Sequence, residues 1–293
     1  MAPDPVLLKI GPITVYWYGV LIVCGAMLAA QITSQLSRRN GHNPEIAWNM
    51  LLILLLAGIL GGRVYHILSS WDYYRLHPNE MFGLQMSGFG IYGAVIFGLI
   101  ALAIYCRAKK LRFLEWADYI APGLLLAQAI GRWGNYFNSE LYGDCTTLPW
   151  GVYIPPANRL EWLADCERFH PTFFYESALN LIGGLILLTL CLRWKKGRLW
   201  GDILFLYGLI YPAIRFFIEQ EKFRPDAYHM PGWMLAGLPM ARVISLVAFV
   251  VFAALLIVRH RLRRPSMIYT PGEPWQEPTH AGETPPSPDT LSE

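Results

Sequence analysis

Arg132, Asn135 and Asn138 recur at every third position, and Glu140 and Gly143 follow them in the stretch GRWGNYFNSELYG, residues 131–143. On a helix that spacing puts the arginine and both amides on one face. Together they offer a set of N–H donors suited to an anion, and a guanidinium meets a phosphate with a two-pronged hydrogen bond. Two more arginines, Arg63 and Arg215, interrupt apolar runs in the same way. Glu219 lies four residues after Arg215, so the two can pair on one helix face, and Glu176 is a third acid near these arginines along with Glu140. A charge inside an apolar run is costly and is a functional candidate by default. Plainer readings are an arginine that only reaches for the interface, and an Arg215–Glu219 pair that only neutralises itself.

The elements that must position these residues are membrane-spanning helices. The composition is 54% hydrophobic and 15% charged, whereas soluble domains carry about 25% charged residues. Seven runs of roughly 20 apolar residues, the length that crosses a bilayer, cover 15–34, 47–68, 89–106, 116–137, 172–192, 199–218 and 240–258. No strand-like alternation supports a β-barrel. The expected fold class is an all-α integral membrane protein with seven transmembrane helices. The formal charge of +3 is too small to argue for a nucleic-acid partner.

More than half of the 24 Lys and Arg residues fall in alternate connections: Arg38 and Arg39; Arg107 to Arg112; Arg193 to Arg198; and Arg259 to Arg264. The positive-inside rule then places the N-terminus outside and the C-terminus in the cytoplasm of a multi-pass protein of the cell's inner, cytoplasmic membrane. Arg63, Arg132 and Arg215 each lie about 16 residues from the basic end of their run, roughly 24 Å up a core of ~30 Å. All three should therefore sit at one height in the outer third, grouped around a polar cavity. Tyr18 and Tyr92 lie about one turn inside the outer ends of the first and third runs. Asp118 and Asp202 fall near the basic ends, where water would solvate them.

The division expected is a catalytic transmembrane domain over 1–264 and a disordered, proline-rich cytoplasmic tail over 265–293. Within the first, 138–171 forms a small exterior cap loop. Cys145 and Cys166 both lie in that loop, which in an oxidising exterior suggests a disulfide, the alternative being two free thiols. The first run has no basic leader and no small-residue cleavage site, so no cleavable signal peptide is expected. The residues before it suggest an amphipathic entry lying at the membrane surface. No internal repeat is evident, which weighs against an inverted-repeat transporter.

GRWGNYFNSELYG closely resembles the signature of the prolipoprotein diacylglyceryl transferases. WYG at 17–19, LGGR at 60–63, DYIAP at 118–122, HPTFFYE at 170–176 and YPAIRFFIE at 211–219 stand in the order that family has them. The resemblance runs from about residue 10 to about 260. It implies transfer of the diacylglyceryl group of phosphatidylglycerol to the lipobox cysteine of a membrane-anchored prolipoprotein, with release of glycerol 1-phosphate. It implies that Arg132, Asn135, Glu140 and Gly143 are signature residues, and that Tyr18, Arg215 and Glu219 match other essential positions. No cofactor or metal is implied, and the nucleophilic thiol comes from the substrate.

The candidate catalytic residues are therefore Arg132, Arg215, Glu219 and Tyr92. Candidate lipid-binding residues are Tyr18, Arg63, Asn135, Asn138, Glu140 and Gly143. Two positions depart from the family. Tyr92 stands where many members carry a histidine proposed as the base, and Arg242 where the family usually has glutamine. A free phenol loses its proton near 10 and a free thiol near 8.5. Three options stay open: Tyr92 only hydrogen-bonds lipid, clustered arginines make it acidic enough to act, or the base is His66, His170 or Glu219. The competing functions are a lipid or anion transporter and a non-catalytic lipid-binding scaffold.

Overall fold

A chain in lipid must satisfy its peptide groups internally, and these apolar runs do so as helix. The structure is a computed structural model that describes residues 3–11, 13–81, 88, 90–229, 234–270 and 272. Strands β1 (Val6–Ile10) and β2 (Ile13–Tyr16) form an antiparallel hairpin ahead of helix α1 (Trp17–Arg39). Next come α2 (Glu45–Ser69), the one-turn α3 (Trp71–Tyr74), α4 (Ile91–Ala108) and α5 (Phe113–Phe137). After the cap segment follow α6 (Thr172–Arg193), α7 (Asp202–Ile218) and the short α8 (Pro225–His229). The two-residue strands β3 (Met234–Leu235) and β4 (Leu238–Pro239) then lead into α9 (Met240–Arg261).

Among the described residues the long helices fall on the seven expected apolar runs, except that Phe89, the expected start of the third, lies outside the described residues. Five are long and apolar enough to cross a membrane: α1, α2, α4, α6 and α9. The protein is thus an all-α, multi-pass membrane protein. The other two differ for visible reasons. Helix α7 has only 17 residues. Helix α5 keeps Glu115, Asp118, Arg132 and Asn135 among its 25, and it packs on α1, α6 and α7, so much of its surface meets protein. The amphipathic entry expected before α1 is a hairpin, turned at Gly11 with a left-handed φ of 57°, and it leaves Leu8 and Ile10 exposed.

Small residues set how closely the helices approach. A Cβ on Gly25 of α1 would lie 3.0 Å from the Ala127 carbonyl oxygen of α5, and one on Gly123 of α5 would lie 2.8 Å from Cα of Ala29. In α2 and α4, Gly61 and Gly93 face each other so closely that a Cβ on either would overlap the other's carbonyl oxygen. Backbone-to-backbone contact of this kind is how helices associate where lipid removes the hydrophobic drive.

The basic end of the bundle is locked by buried charge. Asp118 and Arg198 are both fully buried and pair at 3.1 Å, and Asp118 also accepts the N–H groups of Gly201 (2.8 Å) and Leu204 (2.9 Å). Asp202 accepts the Leu199 N–H at 2.7 Å and meets His260 at 3.1 Å. The expectation that water solvates these two aspartates is corrected: the α6–α7 connection supplies Arg198, Leu199 and Gly201 as partners, and α7 and α9 add Leu204 and His260. Part of the expected tail joins this lock. Ile268 bridges Leu199, and Tyr269 is buried, donating to Asn40 Oδ1 at 2.9 Å beneath the Arg198 guanidinium. The remainder of the expected tail, 271 and 273–293, lies outside the described residues.

The cap segment has a core of its own. Cys145 and Cys166 form a disulfide, and Phe169 bridges both Cys145 and Val152. Tyr142, Ile154, Leu163 and Phe169 are buried together, with the Tyr142 hydroxyl donating to the Asn158 carbonyl and accepting the Leu160 N–H.

Candidate active site

Helix α5 ends in a strained turn. Ser139 and Leu141 take left-handed backbone angles, φ 55° and 57°, a conformation that is uncommon for residues with side chains and that gathers at functional sites. The turn sends Glu140 back to the helix it has just left. Its N–H donates to the Asn135 carbonyl (3.0 Å), and its carboxylate accepts the side-chain amides of Asn135 (2.9 Å) and Asn138 (3.3 Å). Glu140 itself is exposed, whereas Asn135 is buried.

Gly143 ties this turn to the next helices. A Cβ there would lie 2.6 Å from the Lys222 carbonyl oxygen and 3.0 Å from His170 Cβ and Thr172 Oγ1, so only glycine fits. The Gly143 N–H donates to the His170 carbonyl and the Asp144 N–H to the Lys222 carbonyl, each at 2.9 Å. The Phe173 N–H donates to the Leu141 carbonyl at 3.0 Å. The chain after α5 is thereby stitched to the start of α6 and to the segment after α7, the elements that carry the remaining charges.

Those charges meet on Glu176, which is fully buried in the second turn of α6. Arg132 Nη2 donates to its Oε1 at 2.6 Å. Arg215 Nη1 donates to Oε1 at 3.2 Å and to Oε2 at 3.1 Å, while Arg215 Nη2 pairs with Glu219. Arg224 Nη1 lies 3.6 Å from the same Glu219 oxygen and forks onto Asp226 at 2.9 and 2.8 Å. Positive and negative groups alternate along this chain from Arg132 to Asp226, so none is buried without an opposite neighbour. Tyr211 stands beside both arginines. The guanidinium groups of Arg132 and Arg215 converge on one buried carboxylate, and their side chains remain 23% and 16% exposed.

The other sequence candidates lie around this centre or apart from it. Tyr18 covers Gly134, next to Asn135, so closely that a Cβ there would overlap its ring. Arg242 stacks on Phe216 at 4.5 Å and donates to the Tyr228 hydroxyl at 2.9 Å, and that hydroxyl donates to the Glu219 carbonyl. Arg63 is not brought to the pair. It is buried in α2, which packs chiefly on α4 and α1, and it donates to the backbone carbonyls of Glu80, Met81 and Gly88. The grouping of three arginines expected from equal depth is therefore a pair plus a separate loop anchor. Tyr92 is 44% exposed at the start of α4, its ring 5.8 Å from that of Tyr65. His66 packs edge-on against Tyr74. His170, before α6, is buried and faces the Tyr175 hydroxyl at 3.2 Å; burial, then the nearby Lys222, holds its pKa below the usual 6.5.

Sequence reasoning counted Glu176 among the nearby acids and gave it no role, and it passed over Arg224. The signal for Glu176 was present, since it is an acid within the α6 run, but its pairing across helices leaves no spacing to read. Among the described residues no three His, Cys, Asp or Glu side chains come together in a metal-holding group.

The comparisons with known proteins agree on one family. The family model described as prolipoprotein diacylglyceryl transferase matches residues 5–258. A phosphatidylglycerol--prolipoprotein diacylglyceryl transferase of Chloroflexus aggregans is 40% identical over 264 residues, covering 85% of this chain and 87% of the relative. Proteins of the same name from Trichormus variabilis, 38% identical with 90% and 92% covered, and Gloeobacter violaceus, 36% identical with 86% and 91% covered, are similar along nearly their whole length. The chain belongs to the prolipoprotein diacylglyceryl transferase family.

Proposed function

We propose that the protein moves the diacylglyceryl group of phosphatidylglycerol onto the lipobox cysteine thiol of a prolipoprotein, and that the Arg132 and Arg215 pair holds the lipid's phosphate while it does so. In this reading the substrate thiolate attacks the glycerol carbon that bears the phosphate ester. A C–S bond forms, the C–O bond breaks, and glycerol 1-phosphate leaves with the electron pair. The phosphate passes from one negative charge toward two, and preorganised guanidinium groups stabilise charge that develops. The observation that carries the reading is the convergence of Arg132 from α5 and Arg215 from α7 on one point, with both side chains partly exposed.

The remaining roles follow from position. Glu219 orients Arg215, and Asn135, Asn138 and Glu140 shape the turn that sets Arg132 beside it. Gly143 holds α5, α6 and the segment after α7 in register. Tyr18 walls the site from α1. Tyr92, exposed beside Tyr65, contacts lipid, and Arg63 anchors the segment at Glu80 and Met81 after α3. We take α5 and α7 as two further spans, giving seven, with α5 shielded by its neighbours and so less apolar. We likewise take the basic connections to face the cytoplasm, which would put the N-terminus and cap on the outer side of the inner membrane, where membrane lipids and exported precursors meet.

The test mixes purified protein, phosphatidylglycerol vesicles and a lipobox peptide, and reads the peptide mass. A diacylglyceryl adduct on the cysteine supports the transferase. Lipid redistribution without an adduct would support a transporter instead, and lipid retention alone a scaffold.

A further inference from the structure

Glu176 stands where the transferase reading needs an anion, and the inference rests on that reading. Its carboxylate is fully buried and takes donors from both Arg132 and Arg215. Those two arginines are its only hydrogen-bond partners among the described residues. A phosphodiester has the same needs: one negative charge and two free oxygens that accept forked guanidinium donors. We propose that Glu176 is the site's resident anion, filling the phosphate's place in the lipid-free enzyme and surrendering both guanidinium groups when the headgroup enters.

Three observations support this assignment over Glu219. First, the charges alternate from Arg132 to Asp226, so a further anion cannot join without displacing a carboxylate. Second, Glu219 has partners besides Arg215: Arg224 lies 3.6 Å away, and the Tyr228 hydroxyl holds its backbone carbonyl. Losing both Arg132 and Arg215 would leave Glu219 still beside Arg224, whereas the Glu176 carboxylate would have no hydrogen-bond partner among the described residues. Third, the Arg132 and Arg215 side chains keep 23% and 16% exposure whereas that of Glu176 keeps none, so an entering phosphate meets the arginines before the glutamate.

The arrangement has a catalytic consequence. A phosphodiester carries the same charge as Glu176 and only matches it as a partner. A leaving phosphate moving toward two charges outcompetes it. The guanidinium groups are therefore committed more fully as the C–O bond breaks than when lipid first binds, which is the differential binding that lowers a barrier.

The experiment compares steady-state transfer to a lipobox peptide by wild type and Glu176→Gln, varying phosphatidylglycerol in mixed vesicles. If Glu176 competes with phosphate, KM for phosphatidylglycerol falls about tenfold in the variant, equivalent to ~1.4 kcal/mol, with a smaller change in kcat. An unchanged or raised KM in folded Glu176→Gln overturns the inference, because a merely structural glutamate would loosen the arginines and weaken lipid binding. Should Glu176→Gln fail to fold, Glu176→Asp reads the same competition, since its shorter carboxylate cannot span both arginines; a lowered KM supports the inference and an unchanged or raised one overturns it. Absence of adduct from the wild type would instead fault the transferase reading.

Discussion

Replacing Arg215 with alanine removes the guanidinium that joins Glu176 to Glu219. It deletes two hydrogen bonds to Glu176 and one to Glu219, leaving Glu176 with Arg132 alone and Glu219 with Arg224 at 3.6 Å. Breaking a buried ion pair by removing one partner costs about 3–5 kcal/mol. Arg215 is 16% exposed and both carboxylates keep a second cation, so the lower end, about 3 kcal/mol, is expected for stability. On the reaction, loss of one preorganised donor to a developing oxyanion costs about 2.7–4 kcal/mol, or roughly 10²–10³ in kcat. Arg215→Lys should fall between, because one ammonium cannot reach Glu176 and Glu219 together. The assay is initial-rate lipidation of a lipobox peptide at saturating phosphatidylglycerol, beside a thermal melt in detergent to show that the variant is folded. A folded Arg215→Ala enzyme within fivefold of the wild-type kcat would refute the clamp.

Three further outcomes follow from the geometry. Gly143→Ala, whose methyl would meet the Lys222 carbonyl at 2.6 Å, should destabilise by about 1–3 kcal/mol through overpacking, read as a lowered melting temperature; an unchanged melt would contradict the tight junction. Reducing the Cys145–Cys166 disulfide frees a loop with a sequence separation of 21 and should remove about 3 kcal/mol from the cap, seen as faster proteolysis of the cap segment. His170 has a folded pKa below its ordinary 6.5, so the unfolded chain binds more protons in the window below that value. Its contribution to stability is complete above about pH 6.5 and is lost as pH falls toward the lowered value; melts of wild type should decline more steeply on acidification than those of His170→Gln.

What could be read without coordinates was what lies along a helix axis. Counting residues placed Arg132 and Arg215 at one height, and short spacings put Arg132, Asn135 and Asn138 on one face; that the Glu140 carboxylate turns back onto both amides was not legible. The same counting put Arg63 at that height, but height does not set the angle around the bundle, and Arg63 faces the loop after α3 instead. Glu176 escaped for the related reason that its partners come from two other helices, separated from it by 44 and 39 residues. Asp118 and Asp202 were misjudged because a connection that folds back, bringing Arg198 to Asp118 and the Leu199 N–H to Asp202, leaves no periodic trace. The runs were legible because a bilayer demands length and apolarity, and five of the helices meet both demands. Helix α5 falls outside those five while keeping the buried polar residues Glu115, Asp118 and Asn135.

The central claim is that Arg132 and Arg215 act on one phosphate as a unit, and a double-mutant cycle on kcat/KM with Arg132→Gln and Arg215→Gln tests it most directly. Groups that serve one charge are strongly non-additive, so the double variant should lose no more than about tenfold beyond the worse single variant. Losses that multiply, each arginine contributing its full effect in the absence of the other, would contradict the account.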